Sequence, residues 1–170
     1  MMDNTQTEKM TLTDRVAEIF GGGQLYCAET SLKLLADAGD IDATPYIPLA
    51  TGFCSGASRT CGQCGVVSGV IMGLGLYAGR SAPGEDYEPA YVLVQEFIER
   101  FENRCGSLNC EALIGCDFSS PEGQERFREK RLIRKCIQYV VLGVGTALDI
   151  LHEHGYEVDP LQVGHGAEQP

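Results

Sequence analysis

The strongest constraint on the fold is a run of twenty residues without a charged side chain, residues 60–79. The run is as long as a membrane span, but six glycines and the polar residues near its start dilute its hydrophobicity. Gly65, Gly69 and Gly73 recur at intervals of four, which places them on one helix face that another backbone can approach closely. We therefore predict a buried central helix of a globular protein, whose glycine face packs within the chain or forms a homodimer contact.

Apolar residues elsewhere also recur with the period of an α-helix. A first helix is expected to follow Thr13 as its N-cap and to be broken by the glycines of residues 21–23. Residues 40–60 hold prolines and glycines without a steady period and predict a long loop, whereas Ser120 followed by Pro121 predicts another helix start. The remaining helical stripes consist of Leu25, Ala28, Leu32 and Leu35, of Val94, Phe97, Ile98 and Phe101, and of Ile133, Cys136, Val140, Val144, Leu148 and Leu151.

The fold class expected from these patterns is all-α. No stretch alternates apolar and polar residues as a half-buried strand does, and no tandem repeat or low-complexity linker divides the chain. A length of 170 residues, 44% of them hydrophobic, suits one domain with one core. We predict a single helical cysteine-rich domain at residues 1–158, a bundle of five or six helices, followed by a disordered tail at residues 159–170.

Charge narrows the range of partners. The chain carries 24 acidic and 13 basic residues, a net charge of -11, which repels phosphate backbones and anionic lipid surfaces. We therefore predict no nucleic-acid partner and no membrane partner. The first ten residues lack the basic and apolar regions of a secretory signal, which predicts a cytoplasmic protein. The glycines of residues 21–23 fit neither phosphate-binding motif, and no acid–base pair stands out, so whether the protein is an enzyme stays open.

Eight cysteines in a cytoplasmic chain indicate metal or redox chemistry, because disulfides rarely persist in a reducing compartment. Cys61 and Cys64 form a C-x-x-C pair at the start of the predicted central helix. Gly65 follows where a c-type haem site needs histidine, and no strand precedes the pair as in thioredoxin-like sites. A helix start lowers the pKa of nearby thiols. The pair alone leaves metal binding, disulfide exchange and a buried core thiol open.

Four blocks of sequence carry a family resemblance: "YCAETSLKLL", "CGQCGVVSGVIMGLGLYAGR", "CEALIGCDFSSPEG" and "KCIQYV". In order and content they resemble the C_GCAxxG_C_C family of redox-active proteins, which is similar to the cluster-binding domain of split-Soret cytochrome c. The family is marked by a C-G-A-x-x-G motif with one cysteine before it and two after it. Here Val66 stands where that motif has alanine, and the resemblance extends over residues 22–141.

The resemblance implies an iron–sulfur cluster, for which cysteine thiolates are the usual ligands, and a role in electron transfer or redox sensing. The cysteines that it matches to the family, and which we expect to hold the metal, are Cys27, Cys64, Cys110 and Cys136. Cys54, Cys61 and Cys116 are candidates for additional functional thiols, and Cys105 is a further surplus cysteine. The haem-attachment motif of the split-Soret proteins is missing here, so only their cluster chemistry could apply.

Three alternatives to the cluster stay open at this point. The protein could be a thiol–disulfide redox protein without metal, in which pairs of these cysteines exchange with other thiols. Four thiolates also suit a structural zinc ion in a helical module. In the third alternative, the chain is a helical scaffold whose cysteines only fill its core, as free cysteines often do.

The basic residues are concentrated in one segment. Residues 126–135 contain six of the thirteen, and Arg126, Lys130 and Arg134 fall on one helix face. Such a face could dock an acidic redox partner protein or offset the negative charge of a nearby thiolate-bound cluster. The competing interpretation is a solvated helix face on which the basic residues alternate with glutamates.

Overall fold

The computed structural model describes residues 10–159, which form an all-α fold as predicted. No β-strand occurs among these residues, and Gln63 and Asn109 form an isolated antiparallel bridge. A π-helical turn spans Ala17–Gly21 and a 3-10 turn spans Thr51–Phe53. The helices in chain order are α1 (Leu12–Val16), α2 (Cys27–Ala38), α3 (Ile47–Ala50), α4 (Cys54–Arg59), α5 (Gly65–Ala78), α6 (Glu88–Cys105), α7 (Cys110–Ile114), α8 (Pro121–Glu129) and α9 (Ile133–Glu153).

Helix α5 is the predicted central helix, and its glycine face, formed by Gly65, Gly69 and Gly73, packs against α2. A Cβ atom at Gly69 would collide with the backbone of Ala28, and one at Gly73 would collide with the side chain of Leu35. The missing side chains therefore let the two helices approach each other closely. The glycine face is covered within the chain.

The core lies between α2, α5, α6 and α9. Phe97 and Phe101 of α6 are completely buried, and their rings lie 5.6 Å apart between centroids. Val140 and Val144 of α9 are equally buried, in agreement with the apolar stripe read from the sequence. Burial of apolar area of this kind is the main favourable contribution to folding, and it fixes the long helices whose first turns build the site described below.

Two helix starts test the capping predictions. Ser120 caps α8 as predicted, and its hydroxyl accepts a hydrogen bond of 3.0 Å from the backbone N–H of Gly123. The predicted cap at Thr13 is wrong, because α1 begins two residues earlier with Thr11 as its N-cap. Thr11 and Asp14 form a reciprocal capping box, which satisfies free N–H groups at both ends of that turn.

The predicted loop at residues 40–60 is also wrong. Helix α3, the 3-10 turn and α4, whose residues 55–59 are left-handed, occupy its second half. Pro48 lies in the first turn of α3, where a proline costs no hydrogen bond and favours helix initiation. These short elements, together with α7, are the reason why the helices outnumber the five or six predicted.

The last described residue is hydrogen-bonded to the end of α2. The predicted disordered tail, residues 159–170, lies outside the described residues except for Asp159, whose backbone N–H donates to the carbonyl of Ala38 at 2.8 Å. Among residues 10–159, no helix combines the length and the apolar character needed to cross a membrane.

Candidate functional site: a cavity lined by four cysteines

One cavity of about 330 Å³ is lined by all four cysteines that the resemblance matched to the family. We call it the cysteine cavity, and its cysteines are Cys27, Cys64, Cys110 and Cys136. They come from four different helices, and 109 positions of sequence separate the first from the last. The fold therefore gathers these thiols from distant segments around one space.

The four cysteines share a position at or near the start of a helix. Cys27 is the first residue of α2, Cys64 is the N-cap of α5, and Cys110 is the first residue of α7. Cys136 lies in the first turns of α9. The N-terminal end of a helix carries partial positive charge and free N–H groups, which favour a negatively charged group nearby. The long helices α2, α5 and α9 all direct that end toward the cavity.

A short backbone pairing holds two of the cysteines beside each other. The N–H of Cys64 donates to the carbonyl of Leu108 at 2.8 Å, and the N–H of Cys110 donates to the carbonyl of Gly62 at 3.0 Å. The side-chain amide of Asn109 adds a bond of 2.6 Å to the carbonyl of Cys61. The starts of α5 and α7 are thereby fixed to each other at the edge of the cavity.

The chain before Cys61 takes a rare conformation, which we call the left-handed turn, residues 55–59. All five residues have positive φ, from 55° at Ala57 to 68° at Arg59. Only Gly56 lacks the Cβ that makes this conformation costly, at about 1–2 kcal/mol for each other residue. A Cβ at Gly56 would lie 2.7 Å from the Cβ of Cys110. The turn thus packs directly against a cavity cysteine, and strain of this kind clusters at functional sites.

Burial controls the protonation of the cavity thiols. Loss of solvent raises the pKa of Cys64 to about 11, although the N–H groups of Val66 and Val67 act in the opposite direction. Burial also raises the pKa of Cys110 to about 12, with a contribution from the neighbouring thiols, and raises that of Cys136. The lowered pKa expected at this helix start is therefore wrong for Cys64, because desolvation outweighs the helix end. Cys64, Cys110 and Cys136 therefore stay protonated at neutral pH unless a cation displaces their protons.

The family comparison agrees with the resemblance read from the sequence. A model of the family described as "Putative redox-active protein (C_GCAxxG_C_C)" matches residues 25–151. The chain belongs to this family. The matched stretch includes α2, most of α9 and all four cavity cysteines, so the family match spans the elements that build the cavity. No curated protein and no solved structure matched the chain.

This member of the C_GCAxxG_C_C family has four further cysteines, and none of them lines the cavity. Cys54 is buried, its thiol donates to the carbonyl of Ala50 at 3.9 Å, and it packs in one apolar cluster with Cys27. The thiol of Cys61 contacts the Asp117 carboxylate at 3.1 Å, and this contact raises the pKa of Cys61. Neither of these two thiols is part of the cavity wall.

The remaining two surplus cysteines are occupied elsewhere. Cys116 is buried, and its thiol donates to the carbonyl of Gly123 at 2.7 Å. Cys105, at the end of α6, packs against the main core, where burial raises its pKa to about 11. Their sequence spacing gave no means of separating them from the cavity cysteines.

Two arginines beside the cavity complete its electrostatics. Arg128 belongs to the basic segment noted in the sequence, whereas Arg59 lies in the left-handed turn and was not singled out. Both line the cavity, together with the aromatic pair Phe118 and Phe127, whose ring centroids lie 4.6 Å apart. The sequence signal for Arg59 was weak, since an isolated arginine in a presumed loop has no periodicity to place it.

The cavity does not have the geometry of a single-ion site. Within residues 10–159, no group of three or more histidine, cysteine, aspartate or glutamate side chains is arranged to hold one metal ion. The four thiols line a space of about 330 Å³ instead.

Proposed function

We propose that the protein binds an iron–sulfur cluster in the cysteine cavity and acts in electron transfer or redox sensing. The family match supports a redox role. The observation that carries the finer proposal is the meeting of four cysteines from four helices around one cavity. The residues that would hold the cluster are Cys27, Cys64, Cys110 and Cys136. A bound cluster would supply one-electron chemistry, and its potential depends on surrounding hydrogen bonds and solvent exposure.

The residues around the thiols suit a negatively charged group. The helix ends of α2 and α5 present N–H groups, among them those of Val66 and Val67 near Cys64. Arg59 and Arg128 add positive charge at the cavity wall. Phe118 and Phe127 add apolar rings to the cavity wall. Hydrogen bonds, charge and a hydrophobic shell are the means by which a protein tunes such a centre.

The structure favours a cluster over the zinc alternative. A zinc ion bonds each thiolate sulfur at about 2.3 Å, so a tetrahedral site holds its sulfurs about 3.8 Å apart. No such grouping of side chains occurs in the described part of the chain. A zinc ion in the cavity would therefore require the cysteine side chains to rearrange.

The test is the metal content of protein purified without oxygen. We expect iron and acid-labile sulfide with a broad visible absorption band in the wild type. Cys64→Ala and Cys136→Ala should lose most of the iron and sulfide, because each removes one ligand. Cys105→Ala, which removes a thiol outside the cavity, is the matched control and should keep both.

Three results would contradict the proposal. Stoichiometric zinc without sulfide would indicate a structural ion. Folded, metal-free protein that takes up no iron and sulfide under reducing conditions would leave thiol–disulfide chemistry as the better explanation. Equal loss of iron in Cys105→Ala and Cys64→Ala would show that the effect comes from destabilisation and not from the removal of a ligand.

A further inference from the structure

Cys27 faces two neighbourhoods at once. Its side chain lines the cysteine cavity, and it also packs against a small apolar cluster that contains Ala28, Leu32 and the buried Cys54. The backbone N–H of Ser55, the residue that follows Cys54, donates to the Cys27 sulfur at 3.4 Å. Two thiols are therefore in contact just outside the cavity, and one of them is a candidate ligand.

The two thiols differ in access. Cys27 is partly exposed, whereas the exposed fraction of Cys54 is only 6%. Cys27 is the first residue of α2, and its sulfur accepts the hydrogen bond from the N–H of Ser55. An incoming reagent would therefore meet Cys27 first, with Cys54 placed behind it as a second thiol.

We propose that Cys27 and Cys54 form a reversible disulfide that withdraws Cys27 from the cysteine cavity. The oxidant is a small-molecule disulfide of the glutathione type. The Cys27 thiolate attacks one of its sulfurs, forms a mixed disulfide and releases one small thiol. The Cys54 sulfur then attacks the Cys27 sulfur and releases the second small thiol. Two protein thiols lose two electrons and two protons, and the small disulfide gains them.

The consequence for metal binding rests on the function proposed above, whereas the disulfide itself does not. With Cys27 bound to Cys54, three cysteines remain to face the cavity. Oxidation would thus prevent assembly of the cluster, and reduction would restore the fourth ligand. Through Cys54, the redox state of the surroundings would determine whether the cavity has all four cysteine ligands.

Other surplus thiols are less suited to this role. The thiol of Cys61 contacts the carboxylate of Asp117, and that of Cys116 donates to the carbonyl of Gly123. Both of these contacts with oxygen are shorter than that of Cys54, whose thiol donates to the carbonyl of Ala50 at 3.9 Å. Cys116 packs with Cys110 and Cys136, whereas Cys54 packs in one cluster with Cys27, whose sulfur accepts a hydrogen bond from the N–H of Ser55.

Trypsin separates the relevant cysteines into distinct peptides. Cleavage after Lys33 and Arg59 leaves Cys27 as the single cysteine of residues 16–33 and Cys54 as the single cysteine of residues 34–59. Metal-free protein is incubated with oxidised glutathione, its free thiols are alkylated, and the digest is analysed by mass spectrometry. We expect the linked pair of these two peptides to be the main disulfide, and to disappear on reduction.

Variants distinguish this disulfide from other pairings. Cys54→Ala should leave Cys27 as a mixed disulfide with glutathione, and Cys116→Ala should form the linked peptides as the wild type does. A main disulfide that joins Cys27 to Cys64, Cys110 or Cys136 would overturn the proposal, as would the absence of any linked peptide. Cys54→Ser serves if the alanine variant fails to fold.

A second measurement tests the consequence for the site. Oxidised wild-type protein should take up less than about one tenth of the iron and sulfide taken up by reduced protein, and reduction should restore uptake. Cys116→Ala, which keeps both Cys27 and Cys54, should lose uptake on oxidation and regain it on reduction as the wild type does. If the linked peptides form but neither protein takes up iron, the proposed cluster is wrong and the disulfide stands. Equal uptake by oxidised and reduced wild type would overturn the withdrawal of Cys27.

Discussion

Two neighbouring regions of the chain depend on glycine in opposite ways. On the glycine face of α5, glycine stands at each of the three positions where α2 comes closest. In the left-handed turn, one residue of five is glycine, although all five have positive φ. The first region has the residues that its geometry requires. The second is held against its local preference by contacts with other parts of the chain.

The contacts that hold the turn are specific and partly polar. The hydroxyl of Ser58 donates to the carbonyl of Gly52 at 2.8 Å, and that of Thr60 donates to the carbonyl of Ala57 at 2.9 Å. Gly56 packs closely on the side chain of Cys110. A turn stabilised in this way positions the cavity wall at the expense of stability, whereas the glycine face contributes to stability directly.

The largest effect is expected on the glycine face. Gly69→Ala should lower the free energy of unfolding by about 2 kcal/mol or more, because its Cβ collides with backbone atoms of Ala28 that cannot move independently. Gly75→Ala, in the same helix, is the matched control. No atom lies within 4 Å of its new Cβ, and the helix propensity of alanine should raise the stability by up to about 1 kcal/mol.

Urea unfolding of the two variants, followed by circular dichroism, measures this difference. Opposite signs for the two substitutions are the expected outcome. Similar effects of Gly69→Ala and Gly75→Ala would mean that α2 and α5 do not make the close contact described here, and that the glycine spacing has no structural role.

An intermediate effect is expected in the left-handed turn. Ala57→Gly should raise the free energy of unfolding by about 1 kcal/mol, since glycine adopts positive φ without the steric cost of a Cβ. Ala112→Gly in α7 is the control, because there alanine is right-handed, exposed and preferred. It should lower the stability by about 1 kcal/mol. Thermal unfolding of both variants measures these changes. A loss of stability in Ala57→Gly as well as in Ala112→Gly would contradict the left-handed conformation.

The sequence alone predicted the structure of those regions in which the residue types suit the local backbone conformation. The spacing of Gly65, Gly69 and Gly73 predicted a central helix, and Ser120 with Pro121 predicted the start of α8. The grouping of the cavity cysteines came from the family resemblance, since no periodicity links Cys27 to Cys136. Their proposed role as ligands is still a prediction.

The sequence was insufficient where tertiary contacts override local preference. Nothing in residues 54–59 predicts a left-handed helix, because Ala57 and Ser58 disfavour it. The raised pKa of Cys64 depends on burial by distant segments, which the helix start alone could not indicate. Thr11 was missed as a cap because Thr13 offers the same hydroxyl two residues later. The structure distinguishes them, since Asp14 forms reciprocal hydrogen bonds with Thr11.

The smallest effect is expected on the pH dependence of stability, which should differ between the two regions. The glycine face has no titrating group, whereas the end of the turn reaches Asp117 through Cys61. Hydrogen bonds from Ser119, followed by the bond from Cys61, lower the pKa of Asp117 to about 2. A lowered pKa in the folded state stabilises the protein above the unfolded value of about 3.9. That contribution is lost as the pH falls through about 2.

Asp117→Asn should therefore make the loss of stability between about pH 4 and 2 shallower than in the wild type. At pH 7 the urea midpoint should fall toward that of the acid form, because a neutral amide oxygen accepts these hydrogen bonds less strongly than a carboxylate does. Ser119→Ala, which removes the hydroxyl donor, should raise the pKa of Asp117 toward its ordinary value in an NMR titration. The same acid dependence in wild type and Asp117→Asn would mean that the turn is not tied to this carboxylate.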